Sequence, residues 1–242
     1  MPDWEFILWD YDKIKDIDSV WLKECLSVRK WSFAADYVRL WAVYHEGGIY
    51  LDSDVLLYQS LGEFLSNRFF IGREGRSYTT FDDGIQVFLT SHCFGAEAGH
   101  PFLRLNLDYY QGRHFEGSTS SNLPNLLRYD MTMLPYIQSK LAETMGYDPF
   151  VTADHVQPLP GGMVIYPSSY FGKEKNAVTD THCYAKHLGQ ASWREPEYWQ
   201  RHPKSISIDF KYKIRWRIIA MLKRLVARFD YIMVRIHPDG RE

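Results

Sequence analysis

What the sequence lacks narrows what it can be. No stretch approaches the roughly 18 consecutive apolar residues that span a bilayer. The opening MPDWEFILWDYDK has no basic segment leading into an apolar block, so no secretory leader is expected. There are only 3 cysteines, Cys25, Cys93 and Cys183, an odd number at wide spacings. That pattern suits reduced thiols in a cytosolic protein better than a disulfide framework. No charge of one sign dominates: the net charge of −2 excludes a globally basic nucleic-acid binder. There is no internal repeat and no low-complexity stretch.

What is present is a chain of 242 residues, 45% of them hydrophobic, enough for one sizeable core and short for two full domains. Aromatic residues make up 16%, with 8 Trp and 17 Tyr. Such rings stack on bases and sugars and serve equally well as core filler. The charge is unevenly spread. Residues 203–242 hold 10 Lys/Arg against 4 acids, or +6, which leaves 18 basic and 26 acidic residues, or −8, on the other 202. An acidic body with a basic tail divides the chain at about residue 202.

Along the body, WEFILW at 4–9 reads as a short buried strand and 18–28 as a weak helix. Apolar residues at 33, 37, 40, 41 and 44 recur at helical spacing, which predicts a helix over 32–46 capped by Ser32. Gly47-Gly48 ends it. Strands are expected at 49–51, 55–57, 69–72, 86–89 and 163–166, and helices at 101–110 and 134–145. Alternation of this kind indicates an α/β domain with a mixed sheet. From Phe210 onward the apolar residues again recur at helical spacing, and Lys and Arg interrupt them, as in a basic amphipathic helix.

The chemistry gathers at one strand end. Asp52-Ser53-Asp54 follows Ile49-Tyr50-Leu51, and in open α/β sheets ligands bind at the C-terminal edge of the strands. Two carboxylates one residue apart can face a divalent cation, and hard oxygen ligands suit Mn²⁺ or Mg²⁺. Sixteen residues upstream of Asp52, Asp36 and Arg39 share a helix face at i, i+3. An intrahelical surface pair would explain them. So would a site in which an acid holds sugar hydroxyls and a guanidinium fork takes hydroxyls or phosphate beside the cation.

The run Ala35-Asp36-Tyr37-Val38-Arg39-Leu40, then Tyr44-His45-Glu46-Gly47-Gly48-Ile49-Tyr50-Leu51-Asp52-Ser53-Asp54-Val55, resembles the signature of a glycosyltransferase family. Its members have the sugar-binding region containing a DXD motif: capsular-polysaccharide transferases, initiating mannosyltransferases and, more distantly, clostridial glucosylating toxins. Gly95–Phe102, Ile165–Phe171 and Tyr184–Trp193 resemble later segments of the same family, so the likeness runs from about residue 4 to about residue 195. The resemblance implies a GT-A fold, a nucleotide-sugar donor, Mn²⁺ or Mg²⁺, and hexosyl transfer with retention, in capsular or cell-surface polysaccharide synthesis. It implies that Asp36, Arg39 and Tyr50 contact the donor, that Asp52 and Asp54 serve the metal, and that His187 is a further ligand or diphosphate contact. Ser192 and Trp193 would cover the diphosphate.

Two departures stand out. The family's usual first strand, of the type I-P-K-I-I-H-x-x-W, helps bind the base, and this sequence starts after it. Where the family often has an asparagine near the middle strand, this chain reads Thr90-Ser91-His92-Cys93. A cytoplasmic enzyme with a saccharide or lipid-linked saccharide as acceptor is expected, and the basic apolar-striped pattern over 204–242 suggests either a helix drawn to anionic lipid at the inner face of the membrane or one packed on the domain with a solvated basic face. Nucleic acid is not an expected partner. Two other readings compete: a degenerate nucleotide-sugar binder or membrane-associated assembly subunit without activity, and a DxD phosphatase. The phosphatase expects a Thr shortly after the second Asp, where Val55-Leu56-Leu57 stands, and it leaves Asp36 and Arg39 unexplained.

Overall fold

The computed structural model describes residues 4–80, 84–119, 123, 125–171 and 182–188. In chain order the elements are α1 (Tyr11–Ile14), α2 (Val20–Ser27), α3 (Trp31–Glu46), β1 (Gly48–Leu51), β2 (Val55–Leu57), β3 (Phe69–Thr80), β4 (Gly84–Ala96), α4 (Pro101–Tyr110), α5 (Asn125–Arg128), α6 (Leu134–Glu143), β5 (Gln157–Leu159), β6 (Met163–Tyr166), α7 (Ser168–Phe171) and β7 (Ala185–His187). They divide between two compact units. One comprises residues 1–113 and 132–191. The described part of the other is 114–131, where Glu116 bridges Tyr129 in an antiparallel pair and its carboxylate takes the Arg128 guanidinium at 2.6 Å. Residues 203–242, expected to form a basic helix, lie outside the described residues, as do Ser192 and Trp193.

The first unit is built on a five-stranded sheet in the order β1-β4-β3-β6-β5. β4 runs antiparallel to β1 and β3, β3 and β6 are parallel, and β5 is antiparallel to β6. The expected α/β architecture, a mixed sheet flanked by helices, is the one that forms. Strand alternation sorts the core into two faces. Phe70 and Cys93 pack with Leu61, Phe64, Phe171 and Tyr184, while Ile49 and Leu51 lie against the same cluster. On the other face Phe69 meets Phe94 and the α4 ring of Phe102. Gly95 permits the close approach on the first face: a Cβ there would lie 2.4 Å from the Phe70 ring.

Three expectations are corrected. WEFILW forms no strand, and it is not buried: Phe6 and Leu8 are 76% and 77% exposed. A strand exists only by virtue of a partner for its N–H and C=O groups, and no described strand lies beside residues 4–9. Trp4 instead packs on the Phe64–Phe70 cluster, and Trp9 meets Trp41 edge-on at 5.5 Å. Second, Ser32 is not the cap of α3. The helix starts at Trp31 with Lys30 as N-cap, because Lys30 N–H donates to Cys25 C=O at 2.9 Å and carries the chain directly from α2 into α3. Third, β3 and β4 are much longer than 69–72 and 86–89. They form one antiparallel hairpin whose register shifts between Ile71 and Arg73 and again between Arg73 and Ser77. Those bulges break the period-two pattern that would have revealed the strands.

One buried histidine ties the sheet to α4. His100 Nδ1 accepts the Phe102 N–H at 3.2 Å, and Nε2 donates to Gly161 C=O at 3.1 Å, which defines the neutral tautomer. Burial lowers its pKa below the usual histidine value. The unfolded chain therefore takes up a proton near pH ~6.5 that the folded chain refuses until lower pH. The contribution is complete above that pH and is lost as the pH falls through the folded value. His100→Asn keeps an N-cap acceptor without the titration. Its urea midpoint is expected to drop less between about pH 7 and about pH 5 than that of the unsubstituted protein; an equal drop would place the pH sensitivity elsewhere.

Candidate functional site

The site is assembled at the end of β1. Gly47 (φ 72) and Gly48 (φ 99) turn the chain from α3 into the strand with positive φ angles that other residues rarely adopt. Alternation then points Tyr50 and Asp52 to one side of β1, with Leu51 on the other. Asp52 N–H donates to His92 C=O at 2.9 Å, the last rung of the β1–β4 ladder, and Val55 N–H closes a turn on Asp52 C=O at 3.0 Å. That turn carries Asp54 and redirects the chain into β2. β2 leaves the main sheet and pairs with β7, with Val55 opposite His187. Leu188 N–H donates to Asp54 C=O at 2.9 Å, so His187, 133 positions after Asp54, is fixed beside the two carboxylates.

Arg39 is the hub. It is 7% exposed on α3, and its guanidinium reaches Asp36 Oδ1 at 3.2 Å, Asp52 Oδ1 at 3.1 Å and Ser91 C=O at 2.7 Å. It also lies over the Tyr50 ring, 4.5 Å from its centroid, while the Tyr50 hydroxyl donates to Asp52 Oδ1 at 2.6 Å. Burial works against the Arg39 charge, but Tyr50, Asp36 and Asp52 outweigh it, so the guanidinium pKa is raised. Asp36 is pushed up to about 6, chiefly by burial and further by Asp52. Arg39 opposes the rise, and so does the Leu134 N–H that donates to it from the start of α6. The Tyr50 phenol is likewise raised, with burial the largest cause. The Asp36–Arg39 pair is thus a buried link between α3 and the strand end, not a surface ion pair.

Asp52 Oδ1 is taken up by Arg39 and Tyr50, which leaves Oδ2 turned toward His187 Nε2 at 3.8 Å. His187 Nε2 is 3.1 Å from Asp54 Oδ1. Among the described residues this is the one grouping of three acidic, histidine or cysteine side chains whose ligand atoms all lie within 4.8 Å of one another. Two carboxylates and an imidazole are a donor set for Mn²⁺-type cations. The Arg39 guanidinium pairs with Asp36 and Asp52, and Asp54 adds a third formal negative charge to the site, which a cation would neutralise. The residues fit a divalent metal on both counts.

Sequence reasoning singled out Asp36, Arg39, Tyr50, Asp52, Asp54 and His187, and the structure brings these six together. It did not anticipate Ser91, whose carbonyl holds Arg39, or His92. The His92 ring stacks on His187 with centroids 4.5 Å apart and planes 19° apart, and its Nε2 donates to Phe171 C=O at 2.9 Å. Burial lowers the His92 pKa to about 4, and His187 adds to the effect. Neither role follows from a local pattern, because each depends on β4 lying next to β1.

Residues 1–71 match the model of a family described as glycosyltransferase sugar-binding region containing DXD motif, a segment that includes Asp36, Arg39, Asp52 and Asp54. This part of the chain is glycosyltransferase-like. A search of curated proteins finds no match.

Arg39→Leu leaves the half-buried carboxylates of Asp36 and Asp52 without their shared, buried cation. The expected loss is about 3–5 kcal/mol of unfolding free energy, read from chemical denaturation. Asp36→Asn in the Arg39→Leu background should recover part of it; no recovery would show that the two groups are not coupled.

Proposed function

We propose that this protein is a metal-dependent retaining glycosyltransferase that moves a hexose from a nucleotide sugar to a saccharide acceptor in capsular or cell-surface polysaccharide synthesis. The observation that carries this reading is the convergence of Asp52, Asp54 and His187 beside the buried Asp36–Arg39 pair, within a chain whose first 71 residues match a DXD sugar-binding region. In this reading Asp36 and Tyr50 orient the donor sugar, and Arg39 adds positive charge beside the departing diphosphate. Asp52, Asp54 and His187 hold Mn²⁺ or Mg²⁺, which when bound neutralises the charge that builds on the leaving group.

The acceptor hydroxyl attacks the anomeric carbon on the face the leaving group vacates. The C–O bond to the nucleoside diphosphate breaks, a new C–O bond forms on the same face, and the hydroxyl proton passes to the departing diphosphate oxygen. The excess of basic residues over 203–242 supports a peripheral position on anionic membrane, and no helix of the described residues is long and apolar enough to cross one.

Asp54→Ala should abolish Mn²⁺-dependent hydrolysis of the donor nucleotide sugar while leaving the melting temperature of the metal-free protein nearly unchanged. Wild-type turnover in that variant would remove the metal role, and no donor hydrolysis by the unsubstituted protein would favour an inactive binder.

A further inference from the structure

We infer that His92 is a positioning residue that sets the rotamer of His187 and thereby the affinity of the Asp52–Asp54–His187 group for a divalent cation. The inference rests on the metal reading above and adds a residue to which no role has been given. The β2–β7 ladder and the Leu188 N–H to Asp54 bond fix the backbone at His187. They do not fix its side-chain torsions, and the side chain is 37% exposed. Something must choose the rotamer that turns Nε2 toward Asp54 at 3.1 Å and Asp52 at 3.8 Å. His92 supplies a flat wall. Its ring lies nearly parallel to that of His187, with centroids 4.5 Å apart, and it is itself 4% exposed.

The wall is held from both sides. On one, His92 Nε2–H is anchored on the Phe171 carbonyl at 2.9 Å, at the end of α7. On the other, the His92 backbone carbonyl receives the Asp52 N–H at 2.9 Å. One residue of β4 thus touches two of the three candidate ligands: it locates Asp52 through the main chain and His187 through the ring. Outer groups that orient metal-binding histidines typically change affinity 10–100-fold when removed. Here the orienting contact is a ring face, because the Nε2–H is spent on Phe171.

The test is Mn²⁺ binding to the full chain by calorimetry, with thermal unfolding of the metal-free protein recorded alongside. His92→Ala should weaken Mn²⁺ binding by about tenfold. His92→Phe, which keeps a stacking ring and gives up only the Phe171 bond, should stay within about threefold of the unsubstituted protein. If the alanine variant does not fold, His92→Leu replaces it, filling the volume without a planar face, and the same loss of about tenfold is expected. In a His187→Ala background the His92 substitution should cost nothing further, which a merely structural role would not produce. Unchanged Mn²⁺ affinity in His92→Ala or His92→Leu overturns the inference, and so do losses that multiply in the double variant. Failure of the unsubstituted protein to bind Mn²⁺ overturns the metal reading itself, so the two failures are distinguishable.

Discussion

A single guanidinium organises the site. Arg39 is held inside the molecule by two carboxylates, a main-chain carbonyl and the face of a tyrosine ring, drawn from three stretches of chain: α3 (Asp36), the end of β1 (Tyr50 and Asp52) and β4 (Ser91). Burying one charge is expensive, and burying it among well-placed partners is tolerable only if all of them are present. That condition fixes distances across the site. α3 cannot slide along β1 without breaking the contact with Asp52, and β4 cannot shift without losing the one with Ser91. The motif D-x-D is therefore less an isolated pair of ligands than the exposed end of a buried charge network.

The division of labour between the two oxygens of Asp52 follows from this. One oxygen satisfies Arg39 and the Tyr50 hydroxyl, and the other faces His187. A carboxylate restrained in this way presents its second oxygen in a fixed direction, which lowers the entropic cost of capturing a ligand there. Asp54 sits on a turn instead of a strand, and its neighbour across the β2–β7 ladder supplies the third group. Rigid sheet, turn and ladder each contribute one ligand atom to the same small volume.

Much of this was legible in the sequence, and the exceptions have physical reasons. Helix α3, the double-glycine turn and β1 declare themselves because local periodicity and glycine placement encode them. Asp36 and Arg39 could be paired on paper because a helix puts i and i+3 on one face. The network's β4 members could not, since a carbonyl such as that of Ser91 has no signature in residue type. WEFILW shows the converse error. Its composition is that of a strand, but strand pairing belongs to two segments at once, and among the described residues no second one stands beside it. The long β3–β4 hairpin was hidden by bulges that shift the phase of an otherwise readable alternation.

The separateness of the β2–β7 ladder from the main sheet has a temporal side. Asp52 and Asp54 leave the ribosome early, whereas His187 emerges 133 residues after its partner Asp54. A nascent chain can form α3, β1 and the hairpin and still lack the third ligand atom. The candidate cation site is thereby incomplete until β7 has been made, and a product truncated before Ala185 would keep the DXD sequence while lacking the third of the three grouped side chains.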